Sequence, residues 1–189
     1  MRLRLLFVLG LAACATTGAG STPTRSTTTI SVPAASPSGG GTATVAVTTT
    51  HDGRGASVAL AAAPDAVWAA LPDVLAGEGV AVEHVDQAGR VVGNRRLAVT
   101  RSLGRRRLSQ LVDCGTNPFG EPLADSHRVE FSVLSSVKAN QHGTGSVVET
   151  VLTAVGTASG AAASSAVRCE SKGVLENAIN RALTLHFAG

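Results

Sequence analysis

An apolar run from Leu5 to Leu11 opens the chain, and apolar side chains then almost disappear. Between residues 15 and 42, Ile30 and Val32 are the only sizeable ones, set among Thr, Ser, Gly, Ala and Pro. Such a stretch buries too little surface to offset its ordering entropy, so it reads as a flexible tether. Ala43 to Thr50 has strand character and is followed by a turn at His51-Asp52-Gly53-Arg54-Gly55. It reads either as a first edge strand or as the end of the tether. Regular periodicity begins near Ala56. Ser57 to Ala61 reads as a strand. Pro64 opens a helix at a favoured first-turn position. Val67, Leu71, Val74 and Leu75 follow at i, i+4, i+7 and i+8, one helical face. Pro72 predicts a kink or a restart, and Gly77 and Gly79 the end.

Strands follow. Val80 and Val82 alternate with Ala81 and Glu83 in a run ending at Asp86, and Gln87-Ala88-Gly89 turns. Val91 to Ser102 and Arg106 to Asp113 read as two strands joined at Leu103-Gly104-Arg105. Residues 116–125 form a loop rich in Pro, Gly and Asn. Val129, Phe131 and Val133 alternate with polar neighbours, the pattern of a half-buried strand. Gln141 to Gly145 turns, Ser146 to Val155 returns, and Val167-Arg168-Cys169 is a short final strand. Ser171 then caps a helix whose stripe is Val174, Ala178, Ala182 and Leu185, with Ile179 beside it. Hairpin-length turns imply an antiparallel sheet with helices on one face. The expected fold is a two-layer α+β domain over residues 56–189, long enough for one core.

The apolar run at the start has a basic residue on each side of Leu3 before it (Arg2, Arg4) and small residues after it, the layout of a secretory signal. It is too short to span a bilayer, which takes about 20 residues. Leu11-Ala12-Ala13-Cys14 resembles the lipobox of bacterial lipoproteins. The resemblance implies a signal peptide over residues 1–13 and a diacylglyceryl group on Cys14, usually with a further acyl chain on the new amine. Residues 14–55 then comprise the lipidated cysteine and its tether. An ordinary secreted protein with a chance cysteine is the rival reading. Ala15, where aspartate would favour inner-membrane retention, points to the outer membrane, with the domain facing the periplasm.

Composition narrows the class. Charged residues are 15%, aromatics 3%, and tyrosine is absent, which excludes a coiled coil, a collagen-like chain and a polytopic membrane protein. A net charge of +3 is too weak for a dedicated nucleic-acid binder.

The expected layout, a curved antiparallel sheet with a terminal helix across it, resembles the helix-grip architecture. That group includes START-like and polyketide-cyclase-like lipid binders and the small domains of the outer-membrane assembly lipoprotein BamC. Ala63-Pro64-Asp65-Ala66-Val67-Trp68-Ala69-Ala70-Leu71 is similar to the A-P-x-x-V-W-x-x-L opening of START-like proteins. The terminal helix is shorter here than in that group. Asp113-Cys114-Gly115 and Cys169-Glu170-Ser171-Lys172-Gly173-Val174-Leu175-Glu176 resemble the D-C-G and C-x-S-x-G-x-L-E layout of envelope lipoproteins without an assigned reaction.

Beyond Cys14 two cysteines remain, Cys114 and Cys169, and an even pair in an envelope protein reads as a disulfide. Buried free thiols and a metal site are the rival readings; no CxxC or histidine spacing favours metal. His51, His84, His127, His142 and His186 are scattered, and no HExxH, GxSxG, SxxK or P-loop occurs. The expectation is therefore no enzyme and no cofactor apart from the covalent lipid on Cys14. Trp68, the sole tryptophan, reads as core.

Arg90, Arg95, Arg96, Arg101, Arg105, Arg106 and Arg107 fall within 18 residues without one acid. Arginine suits phosphate contact, so Arg95, Arg96, Arg101, Arg105, Arg106 and Arg107 are candidate anion ligands for headgroups, lipopolysaccharide phosphates or acidic glycans. A charged sheet edge that resists strand addition is the other reading. The functional expectation is a membrane-anchored lipoprotein with a non-enzymatic binding or assembly role in the envelope. Its partners are the membrane and an envelope protein or anionic component, not nucleic acid. The alternative is a carrier or sensor of a lipid-like ligand in a START-like cavity.

Overall fold

The computed structural model describes residues 26–35, 42–51, 55–141, 143–158 and 166–188. Its first elements are two strands, β1 (Ser26–Ala35) and β2 (Thr42–His51), paired antiparallel in full register. Both lie within the stretch expected to be tether. β-branched Thr, Ile and Val give them strand propensity. Pro33 is tolerated because β1 is an edge strand. Residues 14–25, 36–41 and 52–54 of that stretch, and the leader before it, lie outside the described residues.

β3 (Ala56–Leu60) leads into α1 (Pro64–Gly77), which begins at the expected proline and continues through Pro72 as one helix. Val67, Ala70, Leu71 and Leu75 are its buried side chains, with Val74 and Trp68 packed at the margin of the core. The run from Val80 is extended, but only β4 (His84–Asp86) pairs, with β5 (Val91–Thr100). The next expected strand, Arg106 to Asp113, is instead three elements. β6 (Ser102–Leu103) and β7 (Arg106–Arg107) form a small hairpin, α2 (Leu108–Leu111) is a helical turn, and β8 (Val112–Asp113) is a two-residue strand. The cause is Leu108 and Leu111, both fully buried: spaced by three, they meet the core only on a helical turn. Asp125, in α3 (Leu123–Ser126), accepts the Ser109 N–H at 2.9 Å and its hydroxyl at 2.8 Å, and so caps α2 from a distant loop.

β9 (Arg128–Ala139) and β10 (Ser146–Thr157) form the long central pair, and β11 (Ala166–Ser171) precedes α4 (Val174–Phe187). The sheet runs β1-β2-β3-β10-β9-β5-β4, and every pairing is antiparallel. β10 carries β3 along Ser146–Thr150, while β11 pairs with Ala154–Thr157. α1 lies over β5, β9 and β10, α4 over β3 and β10, and the two helices touch. This is the expected two-layer α+β arrangement, with a helix after the first strand of the 56–189 region and a second at the C-terminus.

α4 uses a different face from the expected one. Val174 and Leu185 are 38% and 55% exposed, whereas Leu175, Ile179 and Leu183 are buried, flanked by buried Glu176, Asn180 and Thr184. The cap falls two residues later than Ser171, at Gly173 in a left-handed conformation (φ 73°). Ser171 instead donates to Glu176 Oε1 at 2.6 Å and accepts the Gly173 N–H at 3.0 Å. The larger side chains take the core, and Ala178 and Ala182 sit at its rim.

On the inner sheet face the hydroxyls of Ser135 and Thr150 meet at 2.8 Å, both fully buried. Each single replacement, Ser135→Ala or Thr150→Val, strands a buried hydroxyl and costs about 1–2 kcal/mol. The double replacement removes both polar groups. We expect it to cost less than the sum of the singles, as a urea-denaturation cycle would show.

Candidate functional site

Two places gather the residues singled out by sequence. The first is the end of β10. β8 and β11 pair through Asp113–Glu170 and Val112–Ser171, so the next rung of the ladder is Cys114 opposite Cys169. Their sulfurs lie at disulfide-bonding distance, and each cysteine is 4% exposed. Gly156 on β10 leaves room for them: a Cβ there would lie 3.4 Å from the Cys169 sulfur and 3.6 Å from that of Cys114. The cross-link ties α2, α3 and the loop between them to the strand that feeds α4. Lys172 reinforces it, its N–H donating to the Leu111 carbonyl and its Nζ to that of Ser109 (2.9 and 2.7 Å).

The second is the arginine cluster, which the fold divides. Arg90 closes the β4–β5 turn and meets Asp65 at the start of α1 at 2.6 Å. Arg106 meets Glu78 at the end of α1 at 2.6 Å, in a partly buried contact. Arg96 lies 3.6 Å from Glu130 on β9. These three engage acids far away in sequence. Arg95, Arg101, Arg105 and Arg107 are exposed and form no ion pair among the described residues. Arg101, Arg105 and Arg107 share one hairpin.

That hairpin is pinned. Leu103 is 4% exposed and packs into the core. The Leu108 N–H donates to the Arg101 carbonyl at 2.9 Å. Gly79 and Gly104 let the end of α1 approach the hairpin turn closely: a Cβ on Gly79 would come within 3.0 Å of the Gly104 nitrogen. Arg95 and Arg96 occupy a bulge in β5, where the register on β9 passes from Asn94–Val133 to Leu97–Phe131.

The other candidates are dispersed. Trp68 packs against the core. The buried Nε2 of His84 has no hydrogen-bond partner among the described residues. His127 Nδ1 lies 3.2 Å from the Ser126 hydroxyl, while the neighbouring Asp125 is engaged by Ser109. His186 stacks edge-on against Phe187, and His51 ends β2. Cys14 and His142 lie outside the described residues. Among the described residues, no group of three or more His, Cys, Asp or Glu is placed to hold a metal ion, and no helix is long and apolar enough to cross a membrane.

One feature had no sequence expectation behind it. Phe119 stands 89% exposed at the tip of the 116–122 loop. Asn117 organises that loop: its Oδ1 accepts the N–H groups of Phe119 and Glu121, each at 2.9 Å, and its Nδ2 donates to the Glu121 carboxylate. An asparagine two residues before a glycine-containing tip is the sequence signal for such a turn.

Fold and site together define a disulfide-competent, two-layer α+β domain that displays a basic hairpin. No protein-family model matches the chain, and no curated protein matches it in sequence.

Proposed function

We propose that the protein is a lipid-anchored lipoprotein of the bacterial envelope that acts by binding rather than by catalysis. The observation that carries this reading is the partnership of Cys114 with Cys169. It accounts for two of the three cysteines and leaves Cys14, at the end of the apolar leader, as the odd one. A bridged pair suits an oxidising compartment. A lipid on Cys14 would hold the chain at a membrane, since each buried CH₂ contributes about 0.8 kcal/mol. The outer membrane, with the domain facing the periplasm, is the preferred site. The binding role draws on the exposed hairpin arginines Arg101, Arg105 and Arg107.

Metabolic labelling with radiolabelled palmitate tests the anchor. The parent chain should take up label and fractionate with membranes, and Cys14→Ser should abolish both labelling and processing. Unlabelled, unprocessed parent chain in the cytosol with reduced thiols would overturn the proposal.

One observation favours the alternative of a small-ligand carrier. The side-chain oxygen and nitrogen of Asn180, on the buried face of α4, have no hydrogen-bond partner among the described residues. A polar ligand beneath α4 would supply them. Protection of the Asn180 amide signals by added lipid in a nuclear magnetic resonance titration would favour that reading over the first.

A further inference from the structure

We propose that the hairpin from Arg101 to Arg107 is a docking platform for a phosphate-rich anionic membrane surface. This rests on the envelope reading for its setting but has its own test. The first ground is how the arginines are used. Arg90, Arg96 and Arg106 meet Asp65, Glu130 and Glu78, whereas Arg101, Arg105 and Arg107 project from seven consecutive residues and meet no acid among those described.

The second ground is Arg101 itself. Its φ of 67° puts a long side chain in the left-handed region, where glycine is favoured and other residues are disfavoured. Arg90 is also left-handed (φ 48°), but its guanidinium ties the turn to α1. Arg101 is exposed, and its guanidinium meets no acid among the described residues. Its backbone serves the hairpin through the carbonyl that accepts the Leu108 N–H, a role glycine would fill with less strain, so the long cation at this position points to what its charge meets outside the molecule.

The third ground is rigidity. Leu103, the Arg106–Glu78 pair and the Gly79–Gly104 approach fix the hairpin to α1, so little is lost on docking. Three guanidinium groups on a two-stranded turn offer a surface rather than an enclosing pocket. Such a display suits an array of phosphate headgroups, each met by a planar fork of donors. Near an anionic leaflet each basic residue contributes roughly fivefold in partitioning, so all three contribute on the order of a hundredfold.

The test is sedimentation of the full chain with vesicles of phosphatidylcholine alone or mixed with phosphatidylglycerol, at low and high salt. The leader or its lipid partitions into both vesicle types. The hairpin adds an increment only on the anionic vesicles, and salt removes it. Replacing Arg101, Arg105 and Arg107 together by Gln should abolish that increment. Replacing Arg128, Arg168 and Arg181, also exposed and equal in charge, should largely preserve it.

Arg101→Gly guards against misfolding, because glycine adopts this backbone freely. It should lower the increment about fivefold without lowering the melting temperature. Equal loss from both triple variants would show that net charge, not this hairpin, is responsible, and would overturn the proposal. So would an increment insensitive to salt, or one displaced as well by inorganic phosphate as by anionic vesicles. Failure of the anchor would instead appear as lost partitioning on neutral vesicles and lost label on Cys14, with the anionic increment intact.

Discussion

Replacing Cys114 and Cys169 together by alanine should lower the stability of the domain by about 4 kcal/mol, read from urea-denaturation midpoints against the oxidised parent. The expectation follows from loop closure. The two positions are 55 residues apart, and a bridge over that span removes much of the freedom of the unfolded chain. The same loss should follow from a reductant on the parent and vanish in the double variant. The local consequence is as specific. β8 and β11 share only two register pairs, Asp113–Glu170 and Val112–Ser171. Without the third rung, that short ladder and the Lys172 contacts alone hold the α2–α3 segment to the sheet. Amide exchange should therefore rise first across residues 108–127, while β9 and the half of β10 paired with β3 stay protected. Uniform loss of protection would contradict this division.

The second large effect is expected at Asn94. It is 1% exposed and sits where β5 bulges. Its Nδ2 donates to the Ala81 carbonyl and its Oδ1 accepts the Arg96 N–H, each at 2.8 Å. The bulge sets Arg95 and Arg96 against the single residue Ser132 and shifts the inward-facing set from Val92 and Asn94 to Leu97 and Val99. Without it, Leu97 and Val99 would point to the opposite face. Asn94→Ala leaves both partners without the carboxamide and should cost about 2–3 kcal/mol, checked by thermal and urea unfolding. Asn94→Asp keeps the acceptor for Arg96 but turns a buried carboxylate oxygen toward the Ala81 carbonyl, and at neutral pH should cost more than the alanine. An alanine variant as stable as the parent would mean that Leu97 and Val99 alone set the register.

These two sites differ in how far the sequence discloses them. The cysteine pair is legible because two cysteines remain after the leader and each borders a strand signal. The bulge is written in the chain as a change of parity, with Val92 and Asn94 at even positions and Leu97 and Val99 at odd ones, but a polar Asn94 hides the first half. β9 is legible because Val129, Phe131 and Val133 alternate with polar neighbours, and β10 because a β-branched run follows a turn, although Ser146 and Thr150 face inward and Val155 outward. The Arg106–Asp113 region is not, since arginines and valine look extended while Leu108 and Leu111 sit at helical spacing. On α4, two stripes compete. Buried Glu176 and Asn180 make the true inner side look wet, and the alanines at 178 and 182 make the outer side look dry.

The arginines show a different limit. Seven basic residues without a nearby acid look like one patch. Yet Asp65 lies 25 residues from Arg90, and Glu78 lies 28 from Arg106. Only tertiary structure brings those acids close, so which arginines remain available cannot be counted along the chain. The candidate anion set of Arg95, Arg96, Arg101, Arg105, Arg106 and Arg107 thus separates into residues that brace the fold and residues that face outward.

The shared edge of β10 has a mechanical meaning. Tension entering from the amino terminus passes along β1 and β2 into β3, which holds β10 through the five pairs from Ala56–Thr150 to Leu60–Ser146. β11, its sulfur bridge and the basic hairpin's neighbour α2 are joined farther along, beyond Val151 to Thr153. A pull at that end would strip the first strands as a sacrificial strip, while the cross-linked far end of the sheet stayed whole.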